Sequence, residues 1–149
     1  MKHFLLLATV MIALVGCAQG GLLKDANSKY VTSNNGTQIF IVRCQQFVGG
    51  GIRYGITVDG WPVANIYPSQ YIHVMIPNGL RSIGIEGQSS LTFNFSQGEK
   101  YFFKTYMSST NFGIVIERMN EKDFYEMIAA RDTKGETLYE DVSTNIITK

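Results

Sequence analysis

The chain has 149 residues, with 13 Lys and Arg against 12 Asp and Glu and a formal net charge of +1. That length suits one domain, and 45% hydrophobic with 17% charged residues excludes a disordered or collagen-like chain. A charge so near zero gives no polybasic surface, so nucleic acid is not an expected partner.

Lys2 places a positive charge before Phe4 to Val15, an apolar run with Thr9 its one hydroxyl residue. The run is shorter than a membrane span, which takes about 20 residues, and it fits the core of a secretory signal peptide. It ends in Leu14-Val15-Gly16-Cys17, which resembles a bacterial lipobox. On that reading residues 1–16 are a lipoprotein signal peptide, and Cys17 becomes the first residue and carries palmitate-like acyl chains. Loss of Lys2 then leaves equal numbers of basic and acidic side chains. Ala18, rather than Asp, follows the cysteine, a pattern resembling those sorted to the outer membrane facing the periplasm. With Cys17 acylated, Cys44 has no intrachain partner for a disulfide and reads as a buried, inert thiol.

Residues 17–37 are rich in Gly, Ser, Asn and Thr and read as a lipidated tether, with Leu22 and Leu23 able to dock. From Gln38 the pattern turns to strands. Gln38 to Arg43 is a run of β-formers, and Phe47 to Gly51 is a glycine-rich loop. Around Arg53 to Asp59 the chain alternates, with Ile52, Tyr54, Ile56 and Val58 expected on one face and Arg53, Thr57 and Asp59 on the other. Asp59-Gly60 signals a hairpin, with Trp61 to Ile66 returning. Tyr67-Pro68-Ser69 turns the chain into Tyr71 to Ile76, where Ile72, Val74 and Ile76 oppose Tyr71, His73 and Met75. Pro77-Asn78-Gly79 turns again. Arg81 to Glu86, Leu91 to Phe95, Lys100 to Met107 and Phe112 to Arg118 complete the set. Tyr101, Phe102, Phe103 and Tyr106 load both faces of one strand, as in a central strand covered on both sides or one with a face under a helix.

One helix follows. Asn120 suits an N-cap, Glu121 and Asp123 suit the first turn, and Phe124, Met127, Ile128 and Arg131 recur at helical spacing. Gly135 is able to stop it. Leu138, Val142 and Ile146 recur every four residues in the tail, consistent with a second short helix or a frayed end. The expected fold is mainly β: an antiparallel β-sandwich of about 7–8 strands over residues 38–131, with one C-terminal α-helix packed on it and a tail over 132–149.

The central segment also carries a family resemblance. Its parts are Ile39-Phe40-Ile41-Val42-Arg43, Gly55-Ile56-Thr57-Val58-Asp59-Gly60, Tyr71 to Gly79 with Pro77-Asn78-Gly79, Gln97-Gly98-Glu99-Lys100-Tyr101-Phe102-Phe103-Lys104, and the closing helix. This resembles the DUF2846 family of bacterial lipoproteins and the PEGA type of small sandwich, over roughly two thirds of the chain. The shared residues are turn and core residues. The resemblance therefore implies a fold and an envelope location, and it carries over no catalytic residue.

Chemistry is scarce. With His73 the one histidine after residue 16 and Cys44 the one spare thiol, a metal centre and a cofactor are not expected. No Gly-x-Ser-x-Gly elbow is present, and Gly49-Gly50-Gly51 lacks the Lys and Ser/Thr of a phosphate loop. Glu121, Asp123 and Glu126 read as a solvated helix face. The candidates for recognition are aromatic: Trp61, Tyr67 and Tyr71 flank two turns, where exposed aromatics anchor partners or stack on sugars. The expectation is a lipid-anchored, non-enzymatic envelope module for binding or scaffolding. It would be held to the membrane through Cys17 and would meet an envelope protein or a glycan. The alternative is an inhibitor or exclusion lipoprotein that blocks a hydrolase, phage or plasmid entry, with Gly49 to Gly51 or Trp61 to Tyr71 as its protruding loop.

Overall fold

The computed structural model describes residues 19–26, 30–31, 35–46, 51–88, 90–110, 112–144 and 146–147, the last two as backbone. Residues 1–18, with the lipidation candidate Cys17, and Gly49-Gly50 lie outside them. The eight expected strands are present. They are Thr37–Arg43 (β2), Tyr54–Val58 (β3), Trp61–Ile66 (β4), Gln70–Ile76 (β5), Gly79–Ile85 (β6), Ser90–Phe95 (β7), Lys100–Met107 (β8) and Ile114–Met119 (β9). Three short ones join them: Gly21–Leu23 (β1), Glu140–Asp141 (β10) and Ile146–Ile147 (β11). They form a six-stranded sheet ordered β11-β1-β4-β3-β6-β7 and a five-stranded sheet ordered β10-β5-β2-β8-β9.

Alternation decides which side chains meet between the sheets. Ile39 and Ile41 of β2, Ile72, Val74 and Ile76 of β5 and Phe103 of β8 face Tyr54, Ile56 and Val58 of β3, Ile66 of β4 and Ile83 and Ile85 of β6. All are buried, mostly without residual exposure. The odd-numbered apolar residues of β7 point the same way, with Leu91 and Phe93 partly buried and Phe95, the strand's last residue, fully so.

The five-stranded sheet is apolar on its other face too. Phe40 and Val42 of β2, Tyr71 of β5 and Phe102 of β8 lie there beneath the helix Glu121–Ile128 (α1). Phe124 is the helix's buried residue. Its ring meets Phe102 at 5.2 Å, Phe40 at 5.6 Å and Tyr71 at 5.9 Å. This second core explains the aromatic load on both faces of β8. Asn120 caps the helix as its sequence position indicates: its side-chain oxygen accepts from Asp123 N–H at 2.8 Å.

The structure departs from the sequence reading in four places. Residues 17–37 are not a free tether throughout, because β1 pairs with β4 and Leu23 and Tyr30 are buried. The tail at 132–149 is neither helical nor frayed across its described residues. β10 runs parallel to β5, Val142 is fully buried in the main core, and β11 runs parallel to β1. One crossing segment thus covers an edge of each sheet, which satisfies backbone groups that would otherwise be open to another chain. The helix ends at Ile128: Ala129 N–H makes the last α-helical bond, to Tyr125 O, and Ala130 N–H then tightens onto Met127 O at 3.1 Å; Gly135, at φ 83°, belongs to a later turn closed by its own N–H to Asp132 O. Finally, β2 pairs with β8 in parallel, so the sandwich is mostly antiparallel rather than wholly so.

Candidate functional site

The two ends of the sandwich are built differently. The end carrying the β3–β4 hairpin, here called distal, is made of tight turns. Asp59 and Gly60 both hold positive φ, 50° and 80°, the geometry of a two-residue hairpin whose twist matches its strands. Asp59 is used twice more: Oδ1 accepts from Ser82 N–H at 2.9 Å and Oδ2 from Arg81 at 2.9 Å. The hairpin tip is therefore tied to β6.

Trp61 leaves this tip. Its register partner is Val58, so its side chain starts on the inner face, at the open rim of the core. There its ring stacks on buried Tyr30, with centroids 5.6 Å apart, and it remains 58% exposed. Leu80, 73% exposed, sits at the same end on β6, two strands away. Leu80 and Tyr30 carry no recognition signal in the sequence. Leu80 is one apolar residue after a turn, and Tyr30 lies in a segment with no strand periodicity.

Tyr67 and Tyr71 do not join Trp61. Tyr67 follows the last residue of β4, at the opposite end of that strand, and six residues of strand span roughly 20 Å. Tyr71 is in the other sheet, where its ring packs against Phe124. Closeness in sequence misled because the chain between them traverses the sandwich and changes sheet. Trp61 is the member of the trio presented on an exposed tip.

The opposite end, here called proximal, is held by side-chain hydrogen bonds, several of them between residues distant in sequence. Arg43, 2% exposed, lays its guanidinium 3.5 Å from the centre of the Tyr54 ring. It donates to Ile52 O and, at 3.3 Å, to Ile66 O, joining the two sheets. Gln46 continues the β2 ladder with its side chain, accepting from Met107 N–H at 2.6 Å and donating to Met107 O at 3.0 Å. Gln70 accepts from Tyr67 N–H at 3.0 Å and donates to Glu140 at 2.9 Å. Arg43 thus has a structural use.

His73, Asp141 and Ser143 approach one another, but their bonds are not those of an activated nucleophile. Ser143 Oγ donates to Asp141 Oδ1 and accepts from His73 N–H at 2.7 Å. The imidazole lies flat on Phe40, 4.3 Å between centroids and 5° between planes, and its Nε2 is buried without a hydrogen-bond partner among the described residues. Burial holds its pKa below the usual histidine value, against the pull of nearby Asp141. The ring therefore favours its neutral form and serves as a stacking surface.

Cys44 is half-buried, and burial raises its thiol pKa despite nearby Lys104, which suits an unreactive thiol. Glu117 accepts from Lys104 at 2.6 Å and from the Tyr106 hydroxyl at 3.1 Å; the Lys104 hydrogen bond holds its carboxyl below the ordinary range. On the helix, Glu121 meets Lys100 at 3.5 Å and Glu126 meets Lys122 at 3.7 Å, each at the surface. Among the described residues no group of three or more His, Cys, Asp or Glu is arranged to hold a metal ion. No described helix is long and apolar enough to cross a membrane.

In comparison with known proteins, no family model matches the chain, and neither a curated protein nor a solved structure matches it.

Proposed function

We propose that this chain is a lipid-anchored, non-enzymatic binding or scaffolding module of the bacterial envelope, of the DUF2846 type, probing its surroundings with its distal end. Trp61 carries the reading: a large aromatic, more than half exposed, on a hairpin tip fixed by Asp59 and backed by the buried Tyr30 ring. A pre-ordered aromatic loses little rotamer freedom on contact, which is why such residues dominate binding energies. The lipobox-like run ending in Cys17 supplies the anchor and the location, the outer membrane facing the periplasm. The partner is an envelope protein or a glycan.

The test is capture from intact envelope with the full-length protein and its Trp61→Ala variant. The proposal expects a stoichiometric protein, or retention on peptidoglycan or polysaccharide, and a loss of about 2 kcal/mol or more in binding for the variant, a usual hot-spot loss. Equal binding by both proteins removes Trp61 from the site. Turnover of an envelope substrate by the purified protein overturns the non-enzymatic reading.

A further inference from the structure

The chain joins the six-stranded sheet almost as soon as it leaves Cys17. Gly21 already pairs with Asn65. Gly20 is packed so closely that a Cβ there would collide with Gln70 Oε1 and approach Asn65 O to 3.0 Å. Whatever path the intervening residues take, three residues reach at most about 11 Å. A lipid on Cys17 therefore holds this end of the domain against the membrane, without the reach of a long leash.

That end is the proximal one. Gly20 lies at the start of β5 beside Gln70, where β4 crosses to β5, where β2 leaves through Arg43, and where β8 turns into β9. Among the described residues two exposed large apolar side chains sit there: Ile52, 49% exposed, whose own carbonyl binds Arg43, and Phe112, 70% exposed, in the β8–β9 connection. Phe112 is held out by its backbone. Its φ is 53°, its N–H returns to Ser108 O at 3.0 Å, and Ser108 N–H bonds Gly113 O at 2.8 Å. Arg53 and Glu86, close to Ile52, pair with each other at 3.5 Å, so this ion pair adds no net charge.

We infer that the proximal end is a membrane-contacting surface, on which Phe112 and Ile52 enter the boundary between headgroups and acyl chains of the bilayer that holds the Cys17 lipid. The inference rests on the lipidation of Cys17 proposed above. Apolar side chains at that boundary sit about 5–10 Å deep. Trp61, at the far end of β4, stands roughly 20 Å further out. The domain is thus upright, with its recognition end directed away from the lipid.

The test uses the processed protein in vesicles of phosphatidylethanolamine and phosphatidylglycerol whose acyl chains carry bromine near the headgroup. Three proteins are compared: the native chain, whose one tryptophan is Trp61, and the doubly substituted chains Phe112→Trp, Trp61→Phe and Ile52→Trp, Trp61→Phe. The expected result is a loss of emission for the two double variants, whose rings then sit at the headgroup–acyl boundary within reach of the bromines, and no loss for the native chain. If the double variants are no more quenched than the native chain, or if Trp61 is quenched, the inference is overturned. The mass of the Cys17 peptide is measured on the same samples. An acylated Cys17 with unquenched variants overturns the orientation alone, and an unmodified Cys17 overturns the anchor and the orientation with it.

Discussion

The distal and proximal ends of this sandwich are stabilised by different kinds of information. At the distal end neighbouring residues set the turns, with Asp59 and Gly60 in consecutive left-handed conformations and Gly98 at φ 77°. At the proximal end the ties are remote. Arg43 reaches Ile66 across 23 residues of sequence, Gln46 reaches Met107 across 61, and Gln70 reaches Glu140 across 70. Remote bonds occur at the distal end too, from Thr37 to Ser96 O and between Asp59 and both Arg81 and Ser82, but there they supplement turns that already direct the chain. The end built from local turns can expose its tip residues without losing its shape. The proximal end, which holds the longer β2–β3 connection beside its tight turns, uses Arg43 and Gln46 to satisfy the carbonyls of Ile52, Ile66 and Met107.

The comparison breaks most readily at the helix that spans the ground between the two ends. Phe124 is fully buried against three rings, so Phe124→Ala should cost about 3–5 kcal/mol in urea unfolding. A loss below about 1 kcal/mol would mean that the helix is not part of the folded unit.

Arg43→Ala tests the proximal end directly. It removes charge-assisted hydrogen bonds to two carbonyls and the cover over Tyr54, an expected loss of about 3 kcal/mol. Arg43→Lys should recover little of it, because one ammonium cannot bond both carbonyls and stack on the ring. Full recovery by Lys would show that charge alone matters there.

The distal hairpin should respond less. Asp59→Ala loses the bonds to Ser82 and Arg81 and places alanine at positive φ, at an expected cost of about 1–2 kcal/mol. Asp59→Asn should restore most of it, since asparagine tolerates that conformation and keeps an acceptor. Equal losses for both variants would make the ion pair, rather than the turn, the source of stability.

The smallest effect belongs to the sheet surface away from both ends. Glu117 has a folded-state pKa below its ordinary 4.5, chiefly through Lys104. Its contribution is present above the unfolded value and is lost as pH falls through the lower folded value. The pair is substantially exposed, so the expected contribution is about 0.2–1 kcal/mol. Glu117→Gln should flatten that part of the acid limb of a stability–pH curve and leave neutral stability within the same range. An unchanged acid limb would show that the pair contributes nothing.

What the sequence revealed follows the same division. The alternation in β3, β5 and β7, the Asp59-Gly60 hairpin and the Asn120 cap are written within a few residues, and each is in the structure where its signal lies. The docking of β1, the crossing of β10 and β11 and the parallel pairing of β2 with β8 depend on partners far along the chain. Nothing in Glu140-Asp141 or Gly21-Leu22-Leu23 names those partners. Trp61 was visible as a candidate because it follows a recognisable turn. Its separation from Tyr67 and Tyr71 was not visible, because it depends on the direction β4 takes through the sandwich.

The asymmetry of the two ends can be read from the native protein through Trp61, its single tryptophan. Emission and acrylamide quenching are to be measured on the processed protein, first in detergent and then on vesicles. The account predicts solvent-exposed emission and ready quenching in both, unchanged on membrane attachment. A blue-shifted emission that resists acrylamide once the protein is on vesicles would place the Trp61 end against the lipid and contradict the account.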